Sequence, residues 1–230
     1  MIGDADGERG PMGSPGMSTV ERHQDRKATT MGTTAADLTD HTRAERERLA
    51  DLLDRLEPQQ WDTPSLCTGW RIREVAAHLT MPYRTRIRTV LTGVVSHRFS
   101  FDRYADTDAR ATAARMSGKE LAELLRANAE HPWSPPGGGP AGALSHDVIH
   151  GLDMTVPLGL PSAPTERIAA VLTSTSDRQA RHFGVDLRGR RLVATDAEVT
   201  IGTGTDTIEL PVQDILLTVT GRSRLEDVRR

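Results

Sequence analysis

The sequence predicts a mainly α protein: a four-helix bundle followed by a small α+β C-terminal domain. Three observations carry that reading. Apolar residues recur at helical spacing through residues 35–160. Pro and Gly punctuate those runs where helices should stop. Beyond about residue 185 the pattern changes to alternating apolar and polar residues with Gly-rich turns. With 230 residues, 37% of them hydrophobic and 27% charged, the chain can build one sizeable core or two small ones. Aromatics make up only 3%, so Leu, Val, Ile and Ala must fill that core.

Residues 1–34 read as a disordered extension, rich in Gly, Ser, Thr, Pro and charge. The bundle occupies 35–160. Its first helix carries Leu38, Leu49, Leu52, Leu53 and Leu56 on one face and stops at Pro58. A second helix carries Ile72, Val75, Ala76 and Leu79, with His78 in its middle and Pro82 as a kink or end. Residues 96–116 are polar and read as partly irregular. Ser117 and Glu120 have capping-box spacing ahead of Leu121, Leu124 and Leu125, which start a third helix. Pro135 to Pro140 is a loop, and the fourth helix runs from about Ala141 to Met154, ended by Pro157 and Pro161. From 161 to 230 the reading is a further helix and the small α+β domain. Thr165 caps the helix, which runs to Arg181. Strands follow in Arg191–Thr195 and Glu198–Leu210, then a last helix from Pro211 to Gly221.

The formal net charge of −3 gives no global basic excess for nucleic acid or an anionic membrane. No apolar run approaches 18 residues, and no basic segment precedes an apolar core at the N-terminus. A single cysteine, Cys67, excludes an intrachain disulfide framework and a Cys-rich zinc site. The expectation is a cytoplasmic protein. The sequence leaves a homodimer open.

His146 and His150 are four residues apart, so on a helix they share one face and can hold a divalent metal, for which zinc is well suited. Eight His in 230 residues give about 0.3 such pairs by chance, so the pair needs a third ligand. A lone mid-helix His is usually a satisfied, partly buried side chain. A bundle nonetheless brings His78 opposite the pair and makes a His₃ site. Three protein ligands leave the fourth tetrahedral position open, the catalytic rather than the closed structural pattern. Asp147 makes His146-Asp-Val-Ile-His150 superficially like the zinc-protease H-E-x-x-H, with a carboxylate one carbon short. Asp153 and Glu74 could take a ligand ring N–H, each weighed against a solvated helix charge. Arg84, Arg86 and Arg88 could bind carboxylates, though a solvated basic face accounts for at least two of them. Trp61 and Trp70 read as core anchors, with Trp70 close enough to line a pocket. Cys67 reads as a small packed residue rather than a nucleophile.

Trp61-Asp-Thr-Pro-Ser-Leu-Cys-Thr-Gly-Trp-Arg-Ile-Arg-Glu-Val-Ala-Ala-His-Leu79 resembles the signature of the mycothiol-dependent maleylpyruvate isomerase family, whose members are DinB/YfiT-like four-helix bundles. His146-x-x-x-His150-Gly-Leu-Asp153 is similar to that family's second metal motif. The tail from Asp214 to Arg222 resembles its C-terminal domain. The resemblance implies a divalent metal, usually zinc, on His78, His146 and His150. It also implies mycothiol as a low-molecular-weight thiol co-substrate and a small-molecule electrophile as its partner. The isomerase has Glu where this chain has His146, and the wider DinB-like group has His there. The implied reaction is therefore a thiol S-transfer or isomerisation in which a metal-activated thiolate attacks an electrophilic carbon. No catalytic residue beyond the metal centre is implied. The alternatives are a metal- or ligand-binding protein without turnover and a zinc hydrolase that activates water.

Overall fold

A computed structural model describes residues 34–174 and 185–228, all within one compact unit, Thr33–Arg230. All but Thr34 of the N-terminal extension, and the last turns expected of the fifth helix, lie outside the described residues.

Helix α1 (Ala35–Asp54) opens on a capping box: the Thr34 hydroxyl accepts from the Asp37 N–H, and the Asp37 carboxylate accepts from the Thr34 N–H. Its inward face carries Leu38, Leu49 and Leu53, but also two buried charges, Glu45 and Arg46. A 3₁₀ turn at Pro58–Asp62 buries Trp61, and α2 (Ile72–Arg84) follows. Next come α3 (Ile87–Ser96), α4 (Phe101–Ala113), α5 (Gly118–Ala127), α6 (Gly139–Leu158) and α7 (Thr165–Thr173). Helix α1 packs on α5 and α6, and α2 packs on α4, α5 and α6. The bundle expected from the sequence is thus α1, α2, α5 and α6.

Two helices depart from expectation. Residues 96–116, read as partly irregular, fold mostly into α4, which follows α3 after a turn through Arg98 and Phe99, both at positive φ. Helix α4 buries Tyr104, Ala105, Ala109, Thr112 and Ala113. Small and hydroxylated residues make that stripe, so it does not stand out as apolar in the sequence. Pro157 does not end α6. The helix runs one residue further and stops at Gly159, which adopts the left-handed conformation at φ 63. Pro157 has no N–H to give the Asp153 carbonyl, and the Leu66 N–H takes that carbonyl instead at 3.1 Å. A proline inside the helix thereby docks the loop before α2 onto the helix that carries the His pair.

Helix α6 serves two cores. Met154 joins Leu53, Ile72, Leu79, Leu121 and Leu125 in the bundle. Leu144, Val148 and Leu152 join Ile168, Leu192, Ile208 and Ile215 in a second cluster with the C-terminal elements. A helix covered on both sides is apolar nearly all round.

The C-terminal sheet has the order β2-β1-β3, from β1 (Arg190–Ala194), β2 (Thr200–Ile201) and β3 (Asp206–Leu210). Strands β1 and β2 are antiparallel, β1 and β3 parallel, with Leu192 opposite Ile201 and Ile208. The chain passes from one edge of β1 to the other within a few residues. Gly204 makes this crossing: a Cβ there would overlap the backbone of Gly189 and Arg190. Helix α8 (Val212–Val219) then packs on the sheet and on α7, and Gly221 at φ 72 closes it. No described helix is long and apolar enough to cross a membrane.

Candidate metal centre

His78 projects from α2, and His146 and His150 project from successive turns of α6. The three rings meet with centroids 4.8–5.3 Å apart. One nitrogen from each lies within 4.8 Å of the others. The closest pair, Nε2 of His78 and Nε2 of His146, is 3.4 Å apart. Two ligand nitrogens at about 2.0–2.1 Å from one ion, at a tetrahedral angle, would be about 3.4 Å apart.

The far side of each α6 ring is fixed by a carboxylate. His146 Nδ1 is 2.8 Å from Asp147 Oδ1, and His150 Nδ1 is 2.9 Å from Asp153 Oδ2. An ionised carboxylate only accepts, so each Nδ1 carries the proton and each Nε2 presents a lone pair. The His146 lone pair faces His78 Nε2 at 3.4 Å, a contact that needs a proton or a cation between the two nitrogens. His78 Nδ1 is buried with no hydrogen-bond partner among the described residues.

Each carboxylate is in turn held by an arginine. Arg46 Nε donates to Asp147 Oδ2 at 2.7 Å, with both side chains 1% exposed. The same guanidinium donates to the carbonyls of Ala129 and His131, which places the Trp133 ring 5.1 Å from His146. Arg222 forks onto Asp153 through Nε at 3.0 Å and a terminal nitrogen at 3.1 Å. Two Arg–Asp–His chains, one from α1 and one from the C-terminal tail, therefore converge on the two α6 histidines. The sequence reading gave no role to Arg46, Asp147 as an acceptor, or Arg222. The signal for Arg46 was a charge on the core face of α1.

Burial, with neighbouring His150 and His146 adding to it, pushes the His78 imidazole well below its ordinary pKa. Burial also lowers His150, against the raising influence of Asp153. Burial alone would raise Asp153, but the hydrogen bonds from His150 and Arg222 outweigh it and keep the carboxyl ionised. Cys67 donates its thiol to Asp153 Oδ2 at 3.0 Å, and burial, then the Asp153 charge, push that thiol far up. It is a protonated packing residue, as the sequence suggested, with the added task of holding Asp153. Cys67, His150 and Asp153 also cluster closely enough for a metal, but their atoms already satisfy one another.

The other expected site residues are placed as follows. Trp70 stacks at 5.2 Å and 52° on His78, and its indole N–H donates to Asp106. Glu74 does not reach His78; its carboxylate accepts from the Arg71 backbone and guanidinium and caps α2. Arg84 is paired with Asp108 at 2.6 Å and donates to the Ala77 carbonyl, so it braces α2 against α4. An open cleft of about 730 Å³ leads to all three histidines past Trp70, Phe101, Asp102 and Asp106. A second cleft, of about 630 Å³, reaches His146 and His150 from beside the Pro135–Gly138 loop.

Residues 42–132 match the family model described as the mycothiol maleylpyruvate isomerase N-terminal domain. The match takes in α2 with His78, the docking loop with Cys67 and Trp70, and Arg46, and it ends before α6. No curated protein and no solved structure matches the chain.

Proposed function

We propose that this chain binds a divalent metal, zinc by its all-imidazole donor set, on His78, His146 and His150, and acts as a thiol S-transferase or isomerase using mycothiol. The observation that carries the reading is the convergence of three imidazoles, two with protons committed to Asp147 and Asp153, at the foot of an open cleft. A divalent ion held there supplies the positive charge that keeps a thiol deprotonated at neutral pH. The chain's own residues prepare the place. Asp147 and Asp153 set the tautomer and aim of the two rings, Arg46 and Arg222 hold those acids in place through hydrogen bonds, and Cys67 stays neutral. The thiol's proton leaves to solvent. Its sulfur forms a bond to the electrophilic carbon, and the leaving group departs with its electron pair. In an isomerisation the carbon–sulfur bond forms at a double bond, the substrate rotates, and the same bond breaks. Reduced low-molecular-weight thiols place this activity in the cytoplasm.

A hydrolase of the H-E-x-x-H type would need a carboxylate base beside the ion. Asp147, the acid at the corresponding position, has one oxygen on His146 and the other on Arg46. This counts against a hydrolase of that type.

Elemental analysis should find about one equivalent of metal in the purified protein and little in His78→Ala/His150→Ala with helicity retained. Consumption of an electrophile should require added thiol. Equal metal in the double variant defeats the ligand assignment, and consumption without thiol defeats the transferase.

A further inference from the structure

The cleft beside the Pro135–Gly138 loop runs along one face of α6. Gly138, Ala141, Gly142, Ser145, His146 and His150 line it, and their numbers follow the helical i, i+3, i+4, i+7, i+8 spacing. The cleft therefore joins the N-terminus of α6 to the His pair. From Gly139 to His146 is about 10 Å along the helix axis.

The first turn of α6 has donors to spare. Its N-cap is Gly138, which has no side chain to accept from that turn, and Pro140 has no N–H. The N–H groups of Gly139 and Ala141 meet no acceptor among the described residues. The φ angles of Gly137, Gly138 and Gly139 alternate in sign, 78, −88 and 54, a pattern that turns successive N–H groups to one side of a loop. Ser145 is a second and independent sign. It is 6% exposed, lines the cleft one turn beyond Ala141, and its hydroxyl has no hydrogen-bond partner among the described residues. A buried hydroxyl on a helix commonly returns to the carbonyl four residues back, as Thr155 does to Gly151 on this same helix. Helical Cβ atoms tilt toward the N-terminus, so Ser145 leans toward the free N–H groups.

The charges along this cleft leave one sign unanswered. No Asp or Glu lines it among the described residues. Its arginine, Arg222, is neutralised by Asp153, and Asp147 behind His146 is neutralised by Arg46. What remains is positive: the N-terminal end of the α6 dipole, and at the other end the divalent ion of the proposed function.

We propose that the head of α6 is an oxyanion site, where the Gly139 and Ala141 N–H groups and the Ser145 hydroxyl donate to a carboxylate at the end of an elongated ligand. That the ligand's other end reaches the ion rests on the metal reading; the oxyanion site does not.

The probes are 8-mercaptooctanoate and 8-mercaptooctan-1-ol, with octanoate as the acid that lacks a sulfur. Extended, the first spans about 10 Å from sulfur to carboxyl carbon, the axial distance from Gly139 to His146. Calorimetry on the purified full-length protein should find the mercapto acid bound about tenfold tighter than the mercapto alcohol. The acid, and not the alcohol, should shift the backbone amide resonances of Gly139 and Ala141. Ser145→Ala should cut the acid's advantage about threefold. Ala141→Asp puts a carboxylate of the chain's own in the first turn, where it suits the dipole. It should abolish the advantage while the melting temperature stays the same or rises. Equal binding of acid and alcohol by the wild type overturns the proposal, as do unmoved Gly139 and Ala141 amides or an advantage that survives in Ala141→Asp. Octanoate should still shift those amides in His78→Ala/His150→Ala, where the ion's ligands are gone. If it does, and the mercapto acid binds the wild type no tighter than octanoate, the metal reading fails and the oxyanion site stands. If octanoate moves the amides in neither protein, the oxyanion site fails.

Discussion

At the scale of single residues, the buried Arg46–Asp147 pair has two effects that can be separated. Removing one partner leaves an uncompensated buried charge, so Asp147→Ala should cost about 3–5 kcal/mol in denaturant unfolding. It also strips His146 of its acceptor, and metal affinity should fall about ten- to a hundredfold. An Arg46→Met/Asp147→Leu double change restores an apolar, volume-filling contact. It should recover most of the stability while metal affinity stays low. If affinity returned with stability, Asp147 would be a packing residue only. The histidines themselves were legible in the sequence, because a polar ring on an apolar stripe and an i, i+4 pair both break the helical pattern. Their supports were not. Arg46 lies 101 residues from Asp147, and Arg222 lies 69 from Asp153, so only the folded chain brings them together.

At the scale of elements, caps and crossings were read unevenly for physical reasons. The box at Ser117 and Glu120 was visible because its residues are local and of the right type. The box that opens α2 was not, since its first residue is Arg71 and the expected role for Glu74 was elsewhere. Burial would raise the Glu74 carboxyl, but its hydrogen bonds to Arg71 outweigh that and leave it below its ordinary value. A depressed folded pKa stabilises above the unfolded value and is lost as pH falls through the folded one. Glu74→Gln should therefore cost about 1 kcal/mol near neutral pH, and the difference from wild type should shrink toward zero in strong acid. Urea unfolding at the two pH values measures this; a constant difference would mean the charge is irrelevant. Helix α4 escaped the sequence reading because its buried stripe is largely Ala and Thr. The sheet's strands were recognised by alternation, but not their order, because the parallel pairing of β1 and β3 depends on the close passage at Gly204. Gly204→Ala should displace that passage and destabilise the C-terminal half by about 2 kcal/mol or more, seen as earlier exchange of the β1 amides than of α2.

At the scale of the whole molecule, the bundle and the C-terminal elements share α6, and that sharing decides how the site is held. The sequence places a boundary near residue 160, where helical periodicity gives way to Pro-rich connection and then to alternation. Across that boundary, Leu144, Val148 and Leu152 of α6 are covered by Ile168, Leu192 and Ile215. Glu45 of α1, fully buried, is bound by Arg167 of α7 at 2.7 Å, and Arg222 reaches back to Asp153. A chain cut after residue 160 would expose the second face of α6, leave Glu45 without one of its two cations, and release the acid that orients His150. Apolar area uncovered at about 25 cal/mol per Å² over several large side chains exceeds what a marginally stable bundle can lose. The truncated chain should bind a hydrophobic dye, melt without a sharp transition and retain little metal. The milder Arg222→Ala change leaves the buried Asp153 carboxylate without its cation, so it should keep its helicity but melt several degrees below wild type, while metal affinity falls about ten- to a hundredfold. A truncated chain that melts cooperatively and keeps its metal would show that the bundle alone makes the site, and that the tail's arginine only rests against it.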